Sequence, residues 1–178
     1  MVANKLGHSI SRGEAESVLH AFGNGGRTVV QHNRTGEGAP ADHLGSHGSI
    51  RPFSGSPWDG AHFCADDWHV ILIADFEGGD HTFQHTDAEA ITDTLSVEFT
   101  LDGAVLSDTT RTPVKRFLNP EPFGLDVAYY FQQGKVMSPS DLAVGAHTLS
   151  VAITDSSGGV YQDGISFFID ASGTGACG

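Results

Sequence analysis

The stretch His62-Phe-Cys-Ala-Asp-Asp-Trp-His69 places two histidines, two adjacent aspartates and one of only two cysteines within eight residues. Imidazole, thiolate and carboxylate are the donors that suit zinc, copper, nickel or iron. The surrounding sequence is also rich in histidine. Seven of the ten histidines, His32, His43, His47, His62, His69, His81 and His85, fall between residues 32 and 85, with aspartates interspersed. In an extended chain His62, Cys64 and Asp66 share one face, and His81 and His85 share another. The candidate transition-metal ligands are therefore His62, His69, His81 and His85. The spacing is not that of a helical His-Glu-x-x-His motif, where two imidazoles converge on one ion. Isolated surface histidines are the competing explanation.

Acidic loops offer harder chemistry. Asp75-Phe-Glu77-Gly-Gly-Asp80 supplies three carboxylates beside glycine turns, and Asp155 opens another such turn. Calcium takes six to eight oxygens, some from backbone carbonyls. Asp75, Glu77 and Asp80 are the candidate calcium ligands, against ordinary turn chemistry for Asp and Gly. Asp66 and Asp67 point to opposite faces if extended, so they do not make a shared acid–base pair. There is no Gly-x-Ser-x-Gly elbow and no phosphate-cradling glycine loop. No motif names a catalytic residue. Trp58, among Ser, Pro and Gly, is the candidate aromatic for stacking on a carbohydrate or a partner.

Cys64 and Cys177 are far apart and form no Cys-x-x-Cys motif. In an oxidising compartment they can form one disulfide from the start of the strand-rich region to the tail, worth roughly 4 kcal/mol by chain entropy. Two free thiols are the alternative.

These residues need elements to position them, and the chain changes character near residue 60. Residues 1–60 hold 11 of the 23 glycines and little periodicity. Ser11 to Phe22 predicts a helix with Ser11 as its cap and Val18, Leu19 and Phe22 as a short apolar face. Arg27 to Asn33 predicts one short strand, and residues 34–60 read as loop. Asn33-Arg-Thr35 fits a glycosylation acceptor pattern.

From Trp68 onward the signals are strands. Trp68 to Phe76 is a nearly continuous apolar run, expected of a central strand covered on both faces. Glu77-Gly-Gly-Asp80 reads as a turn and residues 81–86 as a short alternating segment. Residues 87–93 fit one helical turn or a loop. Leu95, Val97, Phe99 and Leu101 alternate with polar residues before the Asp102-Gly103 hairpin signal. Pro113 marks an edge strand or the point where a strand begins. Residues 125–137 read as a strand with a glycine break, with a helical start as the alternative. Leu149, Val151 and Ile153 alternate again, and Val160 to Asp170 forms the last strand. About seven strands with turns every 8–12 residues are the signature of an all-β sandwich.

Two segments carry a resemblance. VEFTLDGAVLSDTTRTPVKRF is similar to the early hairpin of bacterial immunoglobulin-like domains, and LAVGAHTLSVAITDSSGGVYQDGISFFI resembles their last two strands. The resemblance covers about residues 94–170. Residues 1–60, the Trp68 strand and the long middle connection depart from the pattern. It implies an immunoglobulin-like β-sandwich of the kind carried by surface proteins, adhesins and polysaccharide-degrading enzymes. It assigns no catalytic residue.

The sequence thus predicts an irregular Gly/His-rich N-terminal extension (1–60), an immunoglobulin-like sandwich of about seven strands (61–172) and a tail (173–178). With 22 acidic against 9 basic residues, the formal charge is −13. Such a surface repels phosphate backbones, which argues against nucleic acid. No run of 18 apolar residues predicts a membrane span, and the N-terminus lacks the apolar core of a signal peptide. The expected role is a non-catalytic extracellular or cell-surface module that binds protein or assembles into a homo-oligomer or polymer. The alternatives are a metal-binding protein and a carbohydrate-binding accessory domain. A transition metal and calcium are the only cofactors the residues suggest.

Overall fold

A computed structural model describes residues 11–20, 49–50, 59–117 and 125–177. The predicted strand at 27–33, the glycosylation pattern, Phe22, Trp58, His32, His43 and His47 lie outside the described residues.

Ten strands and two helices are present among the described residues. They are α1 (Arg12–His20), β1 (Ser49–Ile50), β2 (His62–Cys64), β3 (His69–Gly79), α2 (His85–Thr92), β4 (Ser96–Leu101), β5 (Ala104–Val105), β6 (Thr110–Arg111), β7 (Lys115–Phe117), β8 (Val127–Met137), β9 (Gly145–Thr154) and β10 (Val160–Asp170). β1, β5 and β6 have two residues each, and the remaining seven have three or more. A 3-10 turn, Gly175–Cys177, ends the described chain.

The strands form two sheets. The first runs β1-β3-β8, with β6 and β7 both on the far edge of β8; the second runs β2-β10-β9-β4-β5. Two pairings, β1 with β3 and β2 with β10, are parallel, and the remainder are antiparallel. The sheets meet through side chains of alternating parity. Ile71, Ile73 and Phe131 from the first pack with Phe99, Leu149, Val151 and Phe167 from the second. Burying each phenylalanine stabilises the fold by about 2–3 kcal/mol. The protein is an all-β sandwich.

β3 is covered on both faces, as its unbroken apolar run requires. Val70 and Leu72, of opposite parity to Ile71 and Ile73, pack with Leu19 of α1. Ala15 is buried on the same helix, and the Arg12 guanidinium lies 5.7 Å from the ring centre of half-buried Trp68. The described parts of the N-terminal sixty residues are therefore packed on the sandwich: α1 sits on β3, and Ser49 and Ile50 pair with Val70 and Ile71. The loop expected at residues 49–50 is a strand pairing, made by a neighbour rather than by local propensity.

Three other local expectations are corrected. Glu77-Gly-Gly79 continues β3 opposite Tyr129, Ala128 and Val127 and does not turn. Gly78 suits that site because the backbones approach closely, and Gly79 leaves room for the Phe83 side chain. A Cβ at Gly78 would lie 3.1 Å from the Ala128 Cα, well inside ordinary contact. Gly134 does not break β8; a Cβ there would collide with the Ile71 carbonyl. The alternating segment at 81–86 is a turn and a helix start. The Asp80 carboxylate accepts the Thr82 N–H at 2.8 Å, and Asp87 accepts the Gln84 N–H at 2.7 Å. That reach-back closes the first turn of α2.

Arg111 holds these parts together. It donates from Nη1 to the Thr92 carbonyl at 2.7 Å, from Nη2 to the Leu95 carbonyl at 2.8 Å and from Nε to Gln133 Oε1 at 2.8 Å. Its guanidinium sits 4.8 Å from the centre of the Phe131 ring. The fork thus satisfies carbonyls at the end of α2 and the entry to β4 from the edge of the other sheet. Burial works against its charge, and Asp93 and Asp75 support it. Arg111→Lys is expected to lose about 2 kcal/mol, because an ammonium cannot reproduce three divergent bonds. Urea unfolding of the two proteins measures this, and equal midpoints would refute the assignment.

Candidate functional site

The four histidines proposed as metal ligands are each engaged separately. His62 lies at the start of β2, half exposed, with Nδ1 at 2.9 Å from Asp170 Oδ1 and its ring stacked on Phe168 at 4.7 Å. His69 opens β3 and is 1% exposed. Its Nε2 donates to the Cys64 carbonyl at 3.1 Å, and its Nδ1 is buried without a partner. Burial drives its pKa from 6.5 down to about 4, with the Cys64 hydrogen bond opposing. His69 is therefore a neutral core residue. His81 is exposed and near Asp126, with Nδ1 3.8 Å from Oδ2. His85 begins α2, stacks on Tyr129 at 5.3 Å and sits 3.4 Å from Glu89 one turn on.

The calcium candidates are also dispersed. Asp75 is buried in β3 facing Phe131, and Glu77 is half-buried opposite Tyr129. Asp80 lies beyond the strand, where hydrogen bonds from the Thr82 hydroxyl and N–H hold its carboxyl below the usual range. Asp155 spends Oδ1 on the Ser157 N–H, the Ser157 hydroxyl and the Gly159 N–H, the bonds of a turn. Among the described residues, one group brings three His, Cys, Asp or Glu donor atoms within 4.8 Å of one another: Cys64, Asp66 and Cys177.

In that group the cysteines form the expected disulfide, with Cα atoms 4.8 Å apart. Cys64 ends β2 beside β10, and Cys177 lies on the 3-10 turn. Gly175 opens that turn with φ of 49°, and a Cβ there would collide with the Asp170 carboxylate. Asp66 Oδ1 accepts the Ser172 hydroxyl at 2.6 Å, a second tie between the two ends.

A histidine–aspartate pair at the Asp102-Gly103 turn was not anticipated. His147 Nδ1 lies 2.7 Å from Asp102 Oδ2, while its Nε2 lies 2.7 Å from the Ala143 carbonyl. Both partners are acceptors, so both bonds form together only when the ring carries two protons. The ring is buried and stacked on Phe167. Asp102, at φ of 51° in the Asp-Gly turn, also accepts the Thr148 N–H. Burial pushes its carboxyl up, but Thr148 and His147 outweigh that and hold it below the usual range. With Nε2 on a backbone carbonyl, the pair activates no nucleophile; it ties the β4–β5 turn to the β8–β9 connection. The partners lie 45 residues apart, and only the Asp-Gly turn signal pointed to Asp102.

The outer face of the second sheet carries an open cavity of about 550 Å³. Thr100, Thr148, Ser150 and Ser166 line it with hydroxyls around Gly164, and Asp59 lies at its edge, accepting the Ser166 N–H. Of the aromatics, Tyr130 is core and Tyr129 is half-buried against Phe83 and His85.

Fold and cross-links together define a two-sheet β-sandwich stapled between its beginning and its end. No family model matches the chain, and no curated protein matches it. The chain is similar to a solved structure named "BspA_C_WT", at 13% identity and a TM-score of 0.33, over 64% of this chain and 45% of that one. It thus spans under half the length of that structure.

Proposed function

We propose that the chain is a non-catalytic extracellular module with a structural and interaction role, assembling with protein partners that include further copies of itself. The observation that supports this reading is where its reactive side chains are placed. Cys64 with Cys177, His62 with Asp170, His147 with Asp102, and Arg111 with two backbone carbonyls all join elements distant in sequence. A disulfide of this kind persists in oxidising surroundings outside the cytosol.

Self-assembly is assigned to the strand-like sequence Arg27 to Asn33, pairing with a sheet edge of a neighbouring copy. Deleting residues 1–57 is a poor test, because it strips Leu19 from Val70 and Leu72. Val29→Pro removes one backbone donor from the segment and leaves α1 in place. The full chain is expected to form oligomers in light scattering, and Val29→Pro to be monomeric with unchanged circular dichroism. A wild-type chain that stays monomeric as its concentration rises would end the self-assembly reading.

A further inference from the structure

The geometry points to a second state of the Cys64–Cys177 pair: once reduced, the two thiolates and the Asp66 carboxylate form a binding site for a zinc-type divalent cation.

Three features converge there. Sγ of Cys64, Sγ of Cys177 and a carboxylate oxygen of Asp66 lie within 4.8 Å of one another. Asp66 is positioned rather than merely nearby. Its N–H is directed at Cys64 Sγ at 3.5 Å, and Oδ1 is anchored by the Ser172 hydroxyl at 2.6 Å, which leaves Oδ2 for a ligand. The site also grades from core to solvent, with Cys64 buried, Cys177 half-buried and Asp66 exposed. A cation therefore enters from the Asp66 side.

The chemistry follows from the donor set. A disulfide sulfur has no anionic charge and is a poor ligand, so the oxidised protein carries a staple and no site. Reduction by a dithiol transfers two electrons and two protons to the pair, giving two protein thiols and the oxidised, disulfide form of the reductant. A divalent cation then replaces the two thiol protons, which leave to solvent. Two thiolates and one carboxylate, with water in the fourth position, suit tetrahedral zinc rather than calcium or magnesium. The sulfurs must separate for a metal to sit between them. The 3-10 turn bearing Cys177 is entered through Gly173 and Gly175, both at positive φ, which is where the chain can adjust. The net charge of −13 raises the cation concentration at the surface.

The test uses the full chain, reduced with a dithiol, desalted without oxygen and titrated with Co²⁺ as a coloured stand-in for Zn²⁺. One Co²⁺ per chain with thiolate charge-transfer absorption, displaced by Zn²⁺ and absent from the oxidised chain, is expected. Asp66→Asn keeps both thiols and is expected to weaken Co²⁺ binding at least tenfold. No charge-transfer band in the reduced chain would overturn the proposal, as would Asp66→Asn binding as tightly as wild type. If reduction unfolds the apo chain, circular dichroism with added Zn²⁺ decides: refolding supports the site, and a chain equally unfolded with and without Zn²⁺ refutes it.

Discussion

Replacing both cysteines, Cys64→Ala with Cys177→Ala, is expected to lower the unfolding free energy by about 4–5 kcal/mol by the chain-entropy account. The bond closes a loop across a sequence separation of 113 residues, so it restricts almost the whole sandwich in the unfolded state. For a chain of this size the loss corresponds to a fall in melting temperature of roughly 10–15 °C. The same account predicts a steeper dependence on urea, because an unfolded chain freed of its cross-link exposes more surface. The native side adds a local effect. β2 is a three-residue edge strand paired in parallel with β10 through His62, Phe63 and Cys64 only. Hydrogen exchange is therefore expected to quicken first in β2 and the 3-10 turn, before β9 or β3. A double variant with unchanged midpoint and slope would show that the staple contributes nothing beyond the packing of Phe63.

The parts of this fold that were legible in the sequence are those in which one residue's neighbours along the chain decide its place. Leu149, Val151 and Ile153 are buried because period-two alternation puts them on the face that meets the other sheet. Asp102-Gly103 turns because both residues accept positive φ. The β3 run is apolar on both parities because α1 covers what the second sheet does not. Where a partner from far away decides, the reading failed. Glu77-Gly-Gly79 has turn composition, yet Val127 to Tyr129 hold it in a strand. The segment from His81 to His85 differs for a local reason: it alternates as in a strand, but the Asp80 and Asp87 carboxylates accept N–H groups two and three residues away and fold it into a turn and a helix.

The candidate site divides in the same way. The disulfide was legible because two cysteines leave a single intramolecular pairing. The four candidate histidines do not converge in the described structure, because sequence density of histidine says nothing about convergence. His62 and His69 belong to different sheets, His81 lies in the β3–α2 connection and His85 opens α2. What these imidazoles do instead is visible only in three dimensions: His62 stacks on Phe168 and hydrogen-bonds Asp170, His85 stacks on Tyr129, and His147, outside the cluster, stacks on Phe167 and hydrogen-bonds Asp102.

His69 gives the disulfide-bonded protein an acid response. Its pKa is 6.5 in the unfolded chain and about 4 in the fold. Between those values the unfolded chain holds a proton that the native chain excludes. Stability therefore rises with pH across this window and falls as the solution is acidified from 6.5 toward 4. The contribution at pH 4.5 amounts to a loss of about 2–3 kcal/mol relative to pH 7.5. His69→Leu removes the titrating group together with the buried Nδ1 that has no partner. The Cys64 carbonyl keeps the Asp67 N–H at 3.2 Å, so it is not left bare. The variant is expected to match wild type within about 1 kcal/mol at pH 7.5, since an unpaired polar atom is exchanged for an apolar one. At pH 4.5 it is expected to be the more stable protein. Carboxylates, Asp102 among them, titrate in both proteins and cancel in the comparison. Urea unfolding of the pair at intervals from pH 7.5 to 4.5 measures the difference directly. Curves that stay parallel throughout would show that His69 is not a buried neutral imidazole.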